Sequence, residues 1–217
     1  MDSITNTDDI NCRKYEKIIN NAFENAEINV SKIISDIINI DGMSGIKTRH
    51  FYNNLLNFED ARYLEIGTWK GSSFCSAMYE NNAKVVCIDN WSEFNGPKNV
   101  FLENFNKYKG NNDAQFIESD SFKVDVSTLP KFNIYLYDGD HSDKSHYNAL
   151  IHFYNCLDNT FIFVVDDWNW INVRTQTYKS IDDLKLKILF QKEIIIPHVT
   201  KETWWNGIFV AILQKQN

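Results

Sequence analysis

Proline is scarce in this 217-residue chain. Only Pro97, Pro130 and Pro197 occur, and no proline-rich or low-complexity linker divides the sequence. Basic charge is short as well: 22 Lys and Arg face 29 Asp and Glu, for a formal net charge of −7, and no basic run stands out. That balance works against a sequence-independent grip on nucleic acid or on an anionic membrane, because both need a positive field. The four cysteines at 12, 75, 87 and 156 lie far apart, without CxxC or Cys/His metal spacing. Cys75 and Cys87 fall in apolar segments and read as buried thiols, which points to a reducing, cytoplasmic compartment. Long apolar runs are missing too. Stretches such as Phe161 to Val165 fall far short of the roughly 20 residues a bilayer span needs. The opening MDSITNTDDINC is acidic and polar, unlike a signal peptide, so a soluble protein without a membrane partner is expected.

What is present is an ordinary globular share of hydrophobic residues, 43%. From Arg13 to Ile40 apolar residues recur at helical spacing: Ile18, Ile19, Ala22, Phe23 and Ala26, then Ile33, Ile34, Ile37 and Ile38. One or two amphipathic helices are expected there, ending at Asp41-Gly42. This divides the chain into a helical extension over 1–40 and a main domain over 41–217. The extension's apolar stripes need a partner, either this domain's own surface or a second copy, and a lid that also contributes to a homodimer is the expectation. Residues 44–57 read as another short helix.

From Ala61 the pattern alternates. Strands are expected at Tyr63–Ile66, Lys84–Ile88, Ala114–Ile117, Asn133–Tyr137 and Phe161–Val165. Helices are expected at Ser72–Glu80, Lys98–Lys107 and Ser142–Cys156. Apolar strands alternating with helices imply a parallel sheet covered on both faces. A longer helix is expected around Ser180 to Phe190. Glu193–Ile196 and Gly207–Leu213 then read as a closing antiparallel pair.

In open α/β sheets ligands bind beyond the carboxyl ends of the strands, so the residues following each strand carry the information. The first such segment is LEIGTWKGSS, residues 64–73. A strand ends in an acidic residue and turns through Gly67 and Gly71 into a helix. Its glycines allow close approach of a ligand, and the helix amides could face a carboxylate. The spacing is GxxxG, so the pyrophosphate-binding GxGxxG is missing. The second is Asp89, at the tip of KVVCID, where a carboxylate can accept both hydroxyls of a ribose. The third is YDGDHS (137–142) and the fourth VVDDW (164–168). Carboxylates crowded on one sheet edge repel unless a proton or cation compensates, and oxygen ligands suit Mg2+ or a similar hard divalent ion.

LEIGTWKGSS, then VVCIDNW, then FIESDSF resembles the successive cofactor motifs of class I S-adenosylmethionine-dependent methyltransferases. The resemblance implies an α/β, Rossmann-like fold: a mostly parallel seven-stranded sheet with a C-terminal antiparallel pair and N-terminal helices. It implies that Glu65, Gly67 and Gly71 cradle the methionine part of the cofactor, with Thr68 and Ser72 of the same turn, and that Asp89 holds the ribose. Asp120 and Ser121 would contact adenine, and Asp138 would also touch the cofactor. DGDH followed by VDDW is similar to metal-dependent O-methyltransferases. By that similarity Asp138, Asp166 and Asp167 are metal ligands and His141 the general base, with Asp140 an alternative to Asp138. VDDWNW with Arg174 also resembles a subgroup associated with sugars and small natural products.

Strand four does not end in the Asn/Asp-Pro-Pro-aromatic motif of amino-methylating enzymes, which argues for an oxygen acceptor. Trp168 and Trp170, and Trp204 and Trp205, could wall a substrate pocket or pack beneath it. The expectation is an O-methyltransferase acting on a hydroxyl of a small molecule or glycan unit, not on nucleic acid. Its rivals are a metal-independent methyltransferase using His141 alone, a non-catalytic binding module on the same fold, and a nicotinamide-dependent oxidoreductase.

Overall fold

The computed structural model describes residues 2–216. Seven strands form one sheet: β1 (Arg62–Ile66), β2 (Lys84–Asp89), β3 (Asp113–Glu118), β4 (Phe132–Tyr137), β5 (Leu157–Asp166), β6 (Lys187–Ile194) and β7 (Ile208–Gln214). Their order is β3-β2-β1-β4-β5-β7-β6. β1 to β5 run parallel, and β7 inserts antiparallel between β5 and β6. The expected fold class is therefore the observed one. Chain order reverses direction across β1 and β4, which is the switch point where such sheets open a crevice.

Period-two alternation supplies both faces of the sheet. Tyr63, Val85, Ile134, Ile162 and Val210 point into one apolar layer, while Leu64, Val86, Tyr135, Phe163 and Phe209 point into the other. The first layer is closed by helices α1 (Asp2–Glu27), α2 (Ser35–Ile38), α3 (Ile46–Leu55), α4 (Ser72–Met78) and α5 (Lys98–Tyr108). The second is closed by α6 (Asp143–Phe153) and α7 (Ile171–Asp183). Nearly all the strand residues of β4, β5 and β7 are buried, which explains why these segments read as unbroken apolar runs.

One expectation changes, and one left open is decided. The helix read around Ser180 to Phe190 lies earlier, over Ile171–Asp183, and β6 begins at Lys187. Leu184, Leu186, Ile188 and Phe190 alternate with other residues at a spacing of two, which is a strand signal. Lys185 breaks the helix in a left-handed conformation, φ 53°. At the N-terminus, the stripe of α1 faces this chain's own core: Ile19, Ala22, Phe23 and Ala26 are at most 2% exposed. Phe23 packs on Phe51 of α3 and on Trp204, with ring centroids 4.4 and 5.2 Å apart. Of the second stripe, Ile37 is buried while Ile34 is exposed. No helix among the described residues is long and apolar enough to cross a membrane.

Candidate functional site

A cavity of about 650 Å³ opens beyond the carboxyl ends of the parallel strands. Its walls come from the segments that follow β1, β2, β3, β4 and β5, and from residues 43–44 and 205–206.

Gly67 makes the first wall possible. Its φ is 84°, and a Cβ there would sit 2.0 Å from the carbonyl oxygen of Asp138. Only glycine lets the turn after β1 pass this close to the end of β4. Thr68 and Ser72 line the cavity beside it. Glu65 and Gly71, read from the sequence as part of the same cradle, do not. Glu65 is fully buried, accepting hydrogen bonds from Ser73 Oγ (2.6 Å) and Tyr63 Oη (2.5 Å). Burial pushes its carboxyl up to about 8, against the opposing pull of the Ser73 and Tyr63 hydroxyls. Gly71 begins α4 in a left-handed conformation, φ 85°, and faces the Phe101 ring.

Asp89 joins two strand-end segments. Its Oδ2 accepts from the backbone amides of Thr68 and Trp69, both at 2.8 Å, and its Oδ1 accepts from that of Trp91 at 2.7 Å. The carboxylate still lines the cavity and keeps acceptor capacity for a ligand hydroxyl. Asp120 and Ser121 line the cavity beyond β3. Asp120 Oδ1 accepts from the Phe122 amide (3.0 Å) and caps the short 3₁₀ turn Ser121–Lys123.

At the other end of the cavity Asp138, His141 and Asp167 come together, with one ligand-type atom from each within 4.8 Å of the others. His141 Nε2 hydrogen-bonds Asp167 Oδ2 and lies 4.0 Å from Asp138 Oδ1. Asp167 is 7% exposed and holds a left-handed backbone, φ 55°, a conformation that costs a non-glycine residue free energy and clusters at functional sites. Asp140 turns away. Its Oδ2 accepts from Ser142 and Ser145 hydroxyls, both at 2.6 Å, at the start of α6, and these bonds hold its carboxyl below the usual range. Of the two residues, Asp138 is the one that lies with His141 and Asp167.

Asp166 departs from its expected place. It is buried behind the cluster and off the cavity wall, and its Oδ1 has no hydrogen-bond partner among the described residues. Burial, together with the neighbouring Asp167 carboxylate, pushes Asp166 well above the ordinary carboxylate range. Burial, then Asp166 and Asp167, does the same to Asp138, which keeps a quarter of its side chain open. Such crowding favours a compensating proton or cation. An orphaned buried oxygen beside two carboxylates and an imidazole is a donor set that fits a hard divalent ion.

Each tryptophan pair is split. Trp170 and Trp205 line the cavity, and Trp170 lies against His141 with ring centroids 4.9 Å apart. Trp168 is fully buried, stacked on Phe209, and Trp204 is buried against Phe23 and Phe51. Arg174 donates to the carbonyls of Trp168 and Asn169, so it braces the loop after β5.

Met43, Ser44, Trp69, Phe94 and Asn206 also stand on the cavity wall, and none was assigned a role from the sequence. Trp69, Trp91, Phe94 and Asn95 all hold positive φ, a backbone state that non-glycine residues do not announce. No lysine or arginine lines the cavity among the described residues.

A family profile for a methyltransferase domain matches residues 64–168, the stretch from β1 to the loop after β5. No curated protein sequence matches the chain. Among solved structures, an O-methyltransferase from Bacillus cereus in complex with SAH superposes with a TM-score of 0.59 at 13% identity, covering 89% of this chain and 91% of that one. Precorrin-6y C5,15-methyltransferase from Geobacter metallireducens gives 0.58 at 11% identity, covering 86% and 92%. TrmN from Thermus thermophilus gives 0.58 at 12% identity, covering 83% of this chain and 52% of that one, so this chain spans about half of TrmN's length. At these identities the likeness is one of fold.

Proposed function

We propose that this chain, a class I S-adenosylmethionine-dependent methyltransferase by its domain and its fold, transfers a methyl group to a hydroxyl of a small molecule or sugar unit. The observation that carries the reading is that one cavity joins the Gly67, Asp89 and Asp120 walls to the His141, Asp138 and Asp167 cluster. The first set suits a nucleoside joined to an amino acid. The second suits a hydroxyl that must lose a proton.

The transfer is a single in-line displacement. The acceptor oxygen forms a bond to the methyl carbon, the carbon–sulfur bond breaks, and its electron pair stays on sulfur, giving S-adenosylhomocysteine (SAH). His141 takes the hydroxyl proton, and Asp167, bonded to Nε2, fixes the ring and offsets the charge it gains. Trp170 and Trp205 supply flat walls for a ring-shaped acceptor and exclude water from it. Alignment of the two reactants supplies much of the rate.

Asp138 and Asp167 would hold a divalent ion such as Mg2+, with Asp166 adding negative charge behind them and His141 left free as the base. Bound there, the ion supplies Lewis acidity that eases loss of the hydroxyl proton. The direct His141–Asp167 contact favours a second form of the same reading, in which the histidine–carboxylate pair works without metal.

Labelled S-adenosylmethionine offered with panels of catechols and sugars, with and without EDTA, tests both forms. The expected product is an O-methyl ether, and His141→Ala should slow its formation by roughly 10²–10⁴-fold with SAH affinity retained. EDTA abolishes turnover only in the metal form. A methylated nitrogen or carbon, or full activity in His141→Ala, would sink the proposal.

A further inference from the structure

Asp167 stands in a left-handed loop conformation, outside any regular element that would set the direction of its carboxylate. Both of its oxygens are nevertheless engaged. Oδ2 meets His141, and Oδ1 accepts a 2.6 Å hydrogen bond from Asn206 Nδ2. With Oδ1 held, Oδ2 has one direction left. We propose that Asn206 is a positioning residue that aims Asp167 at His141, a role that rests on reading this cluster as the acceptor-activating centre.

The donor type fits the task. A carboxamide hydrogen-bonds a carboxylate without neutralising it, whereas a lysine or arginine there would form an ion pair and compete with His141 or with a cation for the same charge. Asn206 is itself held from both sides. Its carbonyl accepts from the Asn169 amide at 2.7 Å, two residues past Asp167. Two residues before it, Trp204 is buried against Phe23 and Phe51, and its Nε1 donates to Glu27 Oε1 at 2.8 Å. The Ile46 amide fixes the same segment by donating to the Lys201 carbonyl at 2.7 Å. The N-terminal helix thereby helps to set the position of the amide that orients Asp167. Groups around metal ligands and catalytic histidines act in this way, by restricting the orientation of the residues they bond.

Nitrogen-15 NMR of the histidine rings in the metal-free protein tests the role directly, with the His141 signals assigned by their loss in His141→Gln. Wild type should show His141 as a single tautomer, protonated at Nε2 and donating to Asp167. Asn206→Leu, close in size but without a donor, should release Asp167 and give mixed tautomers. It should also weaken Mn2+ binding by roughly tenfold in calorimetry while SAH affinity is unchanged. Asn206→Ala serves the same comparison if the leucine variant does not fold. His141 ring signals identical to wild type in a folded variant would overturn the proposal. A wild-type protein that takes up no Mn2+ removes the metal form of the function, and the ring signals still decide the role of Asn206. A wild type that binds no SAH removes the methyl-transfer reading without altering the Asn206 result.

Discussion

Glu65 shows how far a single residue can depart from its apparent purpose. In sequence it ends the first strand beside a glycine turn and looks like a ligand contact. In the fold it lies on the inner face of β1, where a carboxyl group is fully buried and bonded to two hydroxyls. Burial raises it from 4.5 to about 8. For a carboxyl group with a raised folded-state value, the stability is fully present below pH 4.5 and is lost as pH rises towards 8, because the unfolded chain releases the proton first. Glu65→Gln, which resembles the protonated form, should flatten the fall in melting temperature between pH 5 and pH 8. A variant with the wild-type slope would mean that Glu65 does not titrate in that window. Asp138 and Asp140 teach the complementary lesson. Two residues apart, they could not be separated by spacing, and in the fold the Ser142 and Ser145 hydroxyls hold Asp140 while Asp138 lies with His141. Hydrogen-bond partners that arise only once α6 forms leave no mark on the preceding motif.

At the level of elements, the five parallel strands were legible because burial on both faces leaves apolar runs between turn signals. The segment after Trp170 was not. The edge strand β6 starts at Lys187, and Leu184, Lys185 and Leu186 join it to α7 with no glycine or proline between them. The α1 stripe was legible as a stripe, but sequence could not name what covers it. The partner is α3 together with Trp204, so α1 is a core element. Phe23→Ala should accordingly lower stability by roughly 3–5 kcal/mol, as truncation of a fully buried aromatic does. Urea denaturation followed by tryptophan fluorescence would measure it, and a loss below about 1 kcal/mol would place α1 outside the core. The tryptophan pairs failed as sequence signals for a related reason. Adjacent residues in a loop can face opposite ways, so one member of each pair packs inward while its neighbour reaches the cavity.

For the whole molecule, the parallel strands place every informative strand end on one edge, which is why motifs spread from residue 67 to residue 167 converge on one cavity. That convergence follows from the parallel run of β1 to β5, which puts their carboxyl ends on one edge, and it could be anticipated once the alternation of elements was seen. The contributions of residues 43–44 and 205–206 could not, since they reach the site through packing of α3 and of the β6–β7 connection. Among the described residues no lysine or arginine lines the cavity, and this bears on the choice of cofactor. Such a wall suits a sulfonium compound, and the glycine pattern that holds the pyrophosphate of a dinucleotide is missing. Isothermal titration of the wild-type protein with SAH, and separately with NAD, tests this most directly. One-to-one binding of SAH with no heat from NAD is the predicted result; a folded protein that binds NAD and not SAH would contradict it.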